Sequence, residues 1–237
     1  MGKVSVVLAS YNGEKYIRRQ IESIMHQLDL DDELIVSDDG STDKTKDIVN
    51  ELIESDSRIK LIDGPKKGYN KNFENAIMHA KNEFVFISDQ DDIWMDNKVK
   101  RVLEEFDDKT NCIRHDCIVI DDNDNVLIES YNKERKANLS YKKNFYKNTF
   151  TGCCMAIRRD WLIKLLPLPS DVYYDAWIGI LSCKFNNAKI IDDKLIKWCR
   201  HEGTVTKLHR NSILWIIKYR LRLKKLLRRK YKTLWKV

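Results

Sequence analysis

From Lys3 to Phe106 the chain alternates short apolar runs with longer stretches whose apolar residues recur at helical spacing, and this constrains its fold more than any other feature. "KVSVVLAS" is Val-rich and suits a strand. In the "YNGEKYIRRQIESIMHQ" that follows, Tyr16, Ile17, Ile21, Ile24 and Met25 mark one helical stripe. "DELIVSDDGS" and "STDKTKDIVNELIE" repeat the unit, with Ser41 or Thr42 placed to cap the second helix. "RIKLIDG" with "NKNFENAIMHAK", then "NEFVFISDQ" with "DNKVKRVLEEF", complete four strand–helix units. Such a run predicts an α/β fold: a mostly parallel central sheet flanked by helices.

In sheets of this kind ligands bind beyond the carboxyl ends of the strands. The polar clusters "SYN" (10–12), "SDDGS" (37–41) and "SDQDD" (88–92) follow strands one, two and four, so all three are expected on one rim. The second half is less regular. "CIRHDCIVIDDNDNVLIES" predicts a hairpin turned by Asp122–Asn125, and "NTFTGCCMAIRRDWLIKLL" a strand entering a helix with Cys153 and Cys154 on opposite faces. "DVYYDAWIGILSCKF" is expected as a helix, and "AKIIDDKLIKWCRH" as a pair of strands.

Composition narrows the class. With 237 residues, 43% of them hydrophobic, and only eight Gly and three Pro, the chain can build a sizeable core. No apolar run is long enough to cross a bilayer, and the N-terminus turns polar too soon for a secretory signal. Six scattered Cys without a CxxC pair are expected as reduced thiols in a cytosolic protein. The charge is split. Residues 207–237 hold 12 Lys and Arg and no acid, which leaves residues 1–206 with 31 basic and 36 acidic side chains, a net −5. We therefore expect a mildly acidic domain (1–206) and a basic amphipathic helical tail (207–237).

Neither GxGxxG nor GxxxxGK[ST] occurs, so a bound nucleotide would need its charge offset otherwise. Asp89 and Asp91, one residue apart at a strand end, can aim at a common cation, and oxygen donors suit Mg²⁺ or Mn²⁺. The alternative is an acidic loop capping the next helix. Asp38 and Asp39 run into Gly40, which gives either an ordinary turn or a carboxylate facing a base or ribose. Asp175 lies among Tyr173, Tyr174 and Trp177, where burial would raise its pKa and make it a general base. His201, near a strand end, is structural unless a metal is in reach. Trp94, Trp177 and Trp198 are expected in the core more than on a sugar.

Taken in order, "VSVVLASYN", "DELIVSDDGSTDKT", "FISDQDDIW", "TGCCMAIRR" and "YDAW" resemble the family 2 glycosyltransferases, with their nucleotide-sugar-binding, Rossmann-like GT-A fold. The resemblance covers about residues 3–206 and is greatest to the bacterial rhamnosyltransferase-like branch. It implies an inverting transfer from a nucleoside-diphosphate sugar (dTDP-rhamnose or a UDP-hexose). By position, it implies that Ser10, Tyr11, Asn12, Asp38, Asp39 and Asp89 bind the nucleotide and that Asp91, with Asp89 and His201, holds Mn²⁺ or Mg²⁺. Asp175 would be the base, and Gly152, Cys153 and Trp177 would line the acceptor side. The chain departs from the branch at Cys199, where an Arg is expected, and at Thr204, where an Asn is expected.

In the tail, Ile216, Tyr219, Leu223, Leu227 and Leu234 form a helical stripe among Lys and Arg, with Trp215, Tyr231 and Trp235 nearby. Such a helix predicts attachment to an anionic membrane surface, here the inner face of the cell membrane, where a lipid-linked saccharide acceptor would lie. No nucleic acid partner is expected. The alternatives are a helix packed on its own domain, a metal-dependent nucleotidyltransferase, or a non-catalytic nucleotide-sugar or nucleic-acid-binding module.

Overall fold

The computed structural model describes residues 2–201 and 212–234. The 206/207 boundary, Thr204 and Trp235 lie outside them. Strands β1 (Val4–Ser10), β2 (Glu33–Asp38), β3 (Ile59–Asp63) and β4 (Phe84–Ser88) alternate with helices α1 (Ile17–Met25), α2 (Thr45–Ser55) and α3 (Tyr69–His79). After β4 come the short β5 (Ile93–Trp94), α4 (Lys98–Leu103), β6 (Cys112–Asp121), β7 (Val126–Ile128), α5 (Tyr131–Arg135) and α6 (Tyr141–Tyr146). The last elements are β8 (Met155–Arg158), α7 (Arg159–Leu165), α8 (Tyr174–Lys184), β9 (Ala188–Arg200) and α9 (Ile213–Leu234).

The sheet runs β3-β2-β1-β4-β8-β6-β9-β5, with β7 beside β6. The block β3-β2-β1-β4 is parallel, as the alternation predicts, and β6 and β9 form a further parallel pair. β1 lies between two parallel neighbours, which explains its nearly continuous apolar run: both of its faces are covered. One layer of core packs Val4, Val6 and Leu8 against Ile17, Ile21 and Ile24 of α1; the other packs Val7, Val85 and Ile87 against Phe73 and Ile77 of α3. β8 runs antiparallel to both β4 and β6. The carboxyl ends of β1, β2, β4, β6 and β9 and the amino end of β8 therefore share one rim.

Several local expectations are corrected. The segment expected as a pair of strands is one long strand, Ala188–Arg200. Register shifts opposite Arg114–Ile118 absorb Asp192 and Asp193 as a bulge, and Arg101 Nε pairs with Asp193 at 3.0 Å. α2 is not capped by Ser41 or Thr42: it starts at Thr45, whose N–H donates to Asp43 Oδ1 at 3.0 Å, while the Ser41 hydroxyl is used by Asp38. Cys153 and Cys154 lie in a single 3₁₀ turn before β8, so strand alternation does not apply to them. All six cysteines are buried free thiols. The 121–125 turn does close the expected hairpin, with Asp121 N–H donating to the Asn125 carbonyl at 3.0 Å.

The tail stripe is corrected as well. Leu223 and Leu227 are buried in the core beside α8, with Tyr219, Leu226 and Leu234 packed against it. The face expected to meet a membrane is turned to the domain instead. The outward side carries other apolar residues: Leu214, Ile217 and Leu221 are 72%, 48% and 64% exposed.

Candidate active site at the sheet rim

The rim encloses a cavity of about 750 Å³. Of the residues singled out from sequence, Ser10, Tyr11, Asp39, Asp89, Asp91, Gly152, Asp175 and His201 line it. Asn12, Asp38, Cys153 and Trp177 do not.

Their absence has a common cause: these side chains are already spent. Asp38 is buried. Its Oδ1 accepts from the backbone N–H of Gly40 (3.1 Å) and Ser41 (2.7 Å), and its Oδ2 from the hydroxyls of Ser10 (2.9 Å) and Ser41 (2.6 Å). It builds the turn that presents Asp39. Asn12, at φ 48°, accepts the Thr42 N–H at 2.9 Å and so clips the first rim loop to the second. Cys153 is fully buried, and Trp177 is a core residue whose Nε1 donates to the Leu165 carbonyl at 2.9 Å. Neither Cys153 nor Trp177, both expected on the acceptor side, faces the cavity.

Asp39 stands at the cavity wall and accepts the Gly68 N–H at 2.8 Å, which ties the loop before α3 to β2. Tyr11 is held by Gln90 through two bonds: its N–H donates to Oε1 at 2.9 Å, and its carbonyl accepts from Nε2 at 3.1 Å. A Cβ on Gly13 would lie 2.3 Å from that Oε1, so a larger residue there would displace the Gln90 amide from Tyr11. Gln90, between the two cavity carboxylates, was not singled out from sequence. Nor were Lys66 and Arg200, cations that also line the cavity. Trp198, expected in the core, lines it too.

The three carboxylates of "SDQDD" differ in role. Asp91 Oδ2 meets His201 Nε2 at 2.8 Å, joining the β4 rim loop to the end of β9. Two neighbouring ligands of an octahedral cation, each about 2.1 Å from it, stand about 3.0 Å apart, so this pair already has the spacing of adjacent ligands. Asp89 is pushed up to about 7, by burial first and then by the Asp91 charge. Asp92 points inward. Its Oδ1 accepts the Cys199 N–H at 3.2 Å, its Oδ2 has no protein partner, and burial again raises its pKa.

Among the described residues, one group of three candidate metal-ligand atoms lies within 4.8 Å: those of Asp89, Asp92 and Cys153. Burial holds the Cys153 thiol protonated, and sulfur is a poor ligand for a hard cation. The oxygen and imidazole donors of Asp91 and His201 suit Mn²⁺ or Mg²⁺ better, and Asp89 lines the same cavity. His201 is oriented by Tyr16, whose ring stacks on it at 4.5 Å and 22° and whose hydroxyl donates to Asp122 Oδ1 at 2.8 Å. From sequence, Tyr16 was expected only as part of the α1 stripe.

Asp175 lies in the first turn of α8 and accepts the Ala176 N–H at 2.6 Å. Burial pushes it up to about 6, although that N–H and the Arg114 guanidinium pull the other way. The loop that delivers it is anchored by Asn70 of α3, whose Nδ2 donates to the carbonyls of Pro169 and Val172, each at 2.7 Å. Gly152 makes room for the same segment: a Cβ there would lie 1.8 Å from the Tyr174 hydroxyl. The rim thus brings a carboxylate–imidazole pair with the spacing of cation ligands, two cationic side chains and a carboxylate of raised pKa to one cavity.

Residues 5–166 match Glycosyl transferase family 2. The chain is 31% identical over 194 residues to the UDP-Glc:alpha-D-GlcNAc-diphosphoundecaprenol beta-1,3-glucosyltransferase WfgD of Escherichia coli, covering 80% of this chain and 73% of that one. It is 31% identical over 174 residues to the dTDP-rhamnosyl transferase RfbG of Shigella flexneri, covering 66% and 55%. The chain spans about half the length of several of its curated relatives. Staphylococcus aureus TarS 1–349, solved in complex with UDP-GlcNAc, shares the fold with a TM-score of 0.74 at 21% identity, covering 96% of this chain and 66% of that one. The mannosyltransferase PcManGT of Pyrobaculum calidifontis, solved with GDP-Man and Mn²⁺, gives 0.61 at 19% identity, covering 81% and 55%. The α/β architecture is therefore the GT-A fold, and the chain belongs to the family 2 glycosyltransferases.

Proposed function

We propose that this chain catalyses inverting transfer of a sugar from a nucleoside-diphosphate sugar to a hydroxyl of a lipid-linked saccharide, in the synthesis of a bacterial cell-surface polysaccharide. The observation that carries this reading is that Asp175, with its raised pKa, lines the same cavity as the Asp91–His201 pair. WfgD and RfbG support a UDP-hexose or dTDP-rhamnose as donor, and the name of WfgD supports a diphosphate-lipid acceptor.

Asp91 and His201, with Asp89, would hold Mn²⁺ or Mg²⁺, which supplies positive charge for the departing diphosphate. Lys66 and Arg200 add fixed positive charge in the cavity. Ser10, Tyr11 and Asp39 line the nucleotide end, with Asp38 and Asn12 holding the loops that present them. Asp175 in its ionised form takes the proton from the acceptor hydroxyl as that oxygen attacks the anomeric carbon, and Gly152 keeps the acceptor end open.

Among the described residues no helix is long and apolar enough to cross a membrane. We place the chain at the cytoplasmic face of the membrane through α9. Leu214, Ile217 and Leu221 stand outward at i, i+3, i+7, on a helix that carries no acidic residue and is rich in Lys and Arg.

Thermal shift against UDP-, dTDP- and GDP-sugars, each with Mn²⁺ and with EDTA, tests the reading. Stabilisation by one nucleotide sugar that disappears with EDTA and in Asp91→Ala supports it. Stabilisation by nucleoside triphosphates alone would favour a nucleotidyltransferase instead.

A further inference from the structure

Beside Asp175 the cavity opens onto a surface of aromatic rings that the donor chemistry does not use. Tyr69 and Tyr173 line the cavity, and both remain substantially exposed, at 36% and 43%. The Tyr173 ring packs 5.7 Å from that of Tyr219 on α9, and Tyr219 stacks on Trp215 at 5.1 Å and 13°. Trp215 is itself 41% exposed. A strip of rings thus runs from the cavity mouth along one flank of α9. That helix lies outside the matched family segment, residues 5–166.

Packing alone does not account for this strip. Rings that only fixed α9 to the domain would be buried, as Leu223 and Leu227 are. Arg222 Nε already ties this flank of the helix to Asp171 Oδ2 at 2.7 Å. The exposed rings of Tyr69, Tyr173 and Trp215, joined through the partly buried Tyr219, carry hydroxyl and indole N–H edges and suit a ligand that is apolar on its faces and polar around its rim. Pyranose rings have that character: their axial C–H groups form apolar faces, and their hydroxyls point outward. The strip starts at Asp175, whose charge, after burial, helps push the Tyr69 and Tyr219 phenols up.

We propose that Tyr173, Tyr219 and Trp215 form a subsite for the saccharide part of the acceptor, holding the sugar unit next to the reacting one, so that α9 is a substrate-binding element. The inference rests on the proposed transferase reading.

The test is calorimetric titration of octyl mono- and disaccharides with glucose, galactose, N-acetylglucosamine and rhamnose heads, in the presence of Mn²⁺ and a saturating concentration of whichever of UDP, dTDP and GDP binds the wild type most tightly. The wild type should bind at least one disaccharide more tightly than its monosaccharide. Trp215→Ala should weaken that binding about tenfold or more, and Trp215→Phe, which keeps a ring, should restore most of it. Affinity for that nucleotide should be the same in all three proteins. Equal disaccharide affinity in the wild type and Trp215→Ala, or no binding of any member by the wild type, overturns the subsite. Failure of the wild type to bind any of UDP, dTDP and GDP overturns the transferase reading, and the subsite with it.

Discussion

Asp91 and His201 are 110 residues apart in sequence, and Asp91 Oδ2 lies 2.8 Å from His201 Nε2. The contact joins the end of β4 to the end of β9 across the sheet rim. If this pair holds the cation, Asp91→Ala should lower kcat/KM by about 100-fold or more, as loss of a transition-state charge contact does. His201→Ala should retain more activity but need a higher Mn²⁺ concentration for half-maximal rate. A Mn²⁺ titration of steady-state transfer checks both. Equal metal requirements in the wild type and His201→Ala would exclude His201 as a ligand.

Asp175 should set the acid limb of the pH profile. Its pKa is raised to about 6, and the base is active only when ionised. Below that pH, kcat/KM should fall about tenfold per unit; above it the limb should flatten. Asp175→Asn should cut kcat by about 10²–10⁴ while leaving donor affinity intact. An unchanged acid limb in a variant at Asp175 would show that another group titrates.

Asp89 has the opposite consequence for stability. Its folded pKa, about 7, exceeds the ordinary value of 3.8, so the stability it contributes is fully present below about pH 4 and is lost as pH rises through 7. Asp89→Asn should therefore raise the Tm of the metal-free protein at pH 7.5, and added Mn²⁺ should stabilise the wild type more than the variant. Differential scanning calorimetry with EDTA and with Mn²⁺ reads both effects.

The adjacent Asp38 and Asp39 should separate cleanly. Asp38→Ala removes the acceptor of four hydrogen bonds at a buried turn and should cost about 1–3 kcal/mol or more in urea unfolding. Asp39→Ala should cost less stability and weaken nucleotide binding. If Asp38→Ala were the milder change in both respects, the assignment of roles would be reversed.

The two faces of α9 should also behave differently. Leu223→Ala, at a buried site, should cost about 2–5 kcal/mol. Leu221→Ser, on the outward face, should change stability by no more than about 0.5 kcal/mol yet reduce co-sedimentation with anionic vesicles. Vesicle binding that was unaffected by Leu221→Ser together with Ile217→Ser would remove the outward face as the membrane contact.

What the sequence by itself determined is what short-range physics carries. The alternation of β-branched runs with 3.6-residue stripes dictates the parallel strands β1 to β4, and the placing of "SYN", "SDDGS" and "SDQDD" after those strands puts them on one rim. Asp175, His201 and the carboxylates could be singled out because their chemistry is unusual for their surroundings. Tertiary structure alone decided which of these groups face the cavity. Asp38 and Asp39 are indistinguishable in sequence, but strand alternation and loop hydrogen bonding turn one into the fold and leave the other at the wall. Trp177 and Trp198 differ in the same way. The stripe of α9 is equally apolar whether it meets lipid or protein, so only the presence of the α8 surface beside it settles that Leu223 and Leu227 belong to the core. Contacts such as Asp91 with His201, or Tyr16 with His201, depend on the pairing of β9 with β6 across long loops, and no local pattern encodes that.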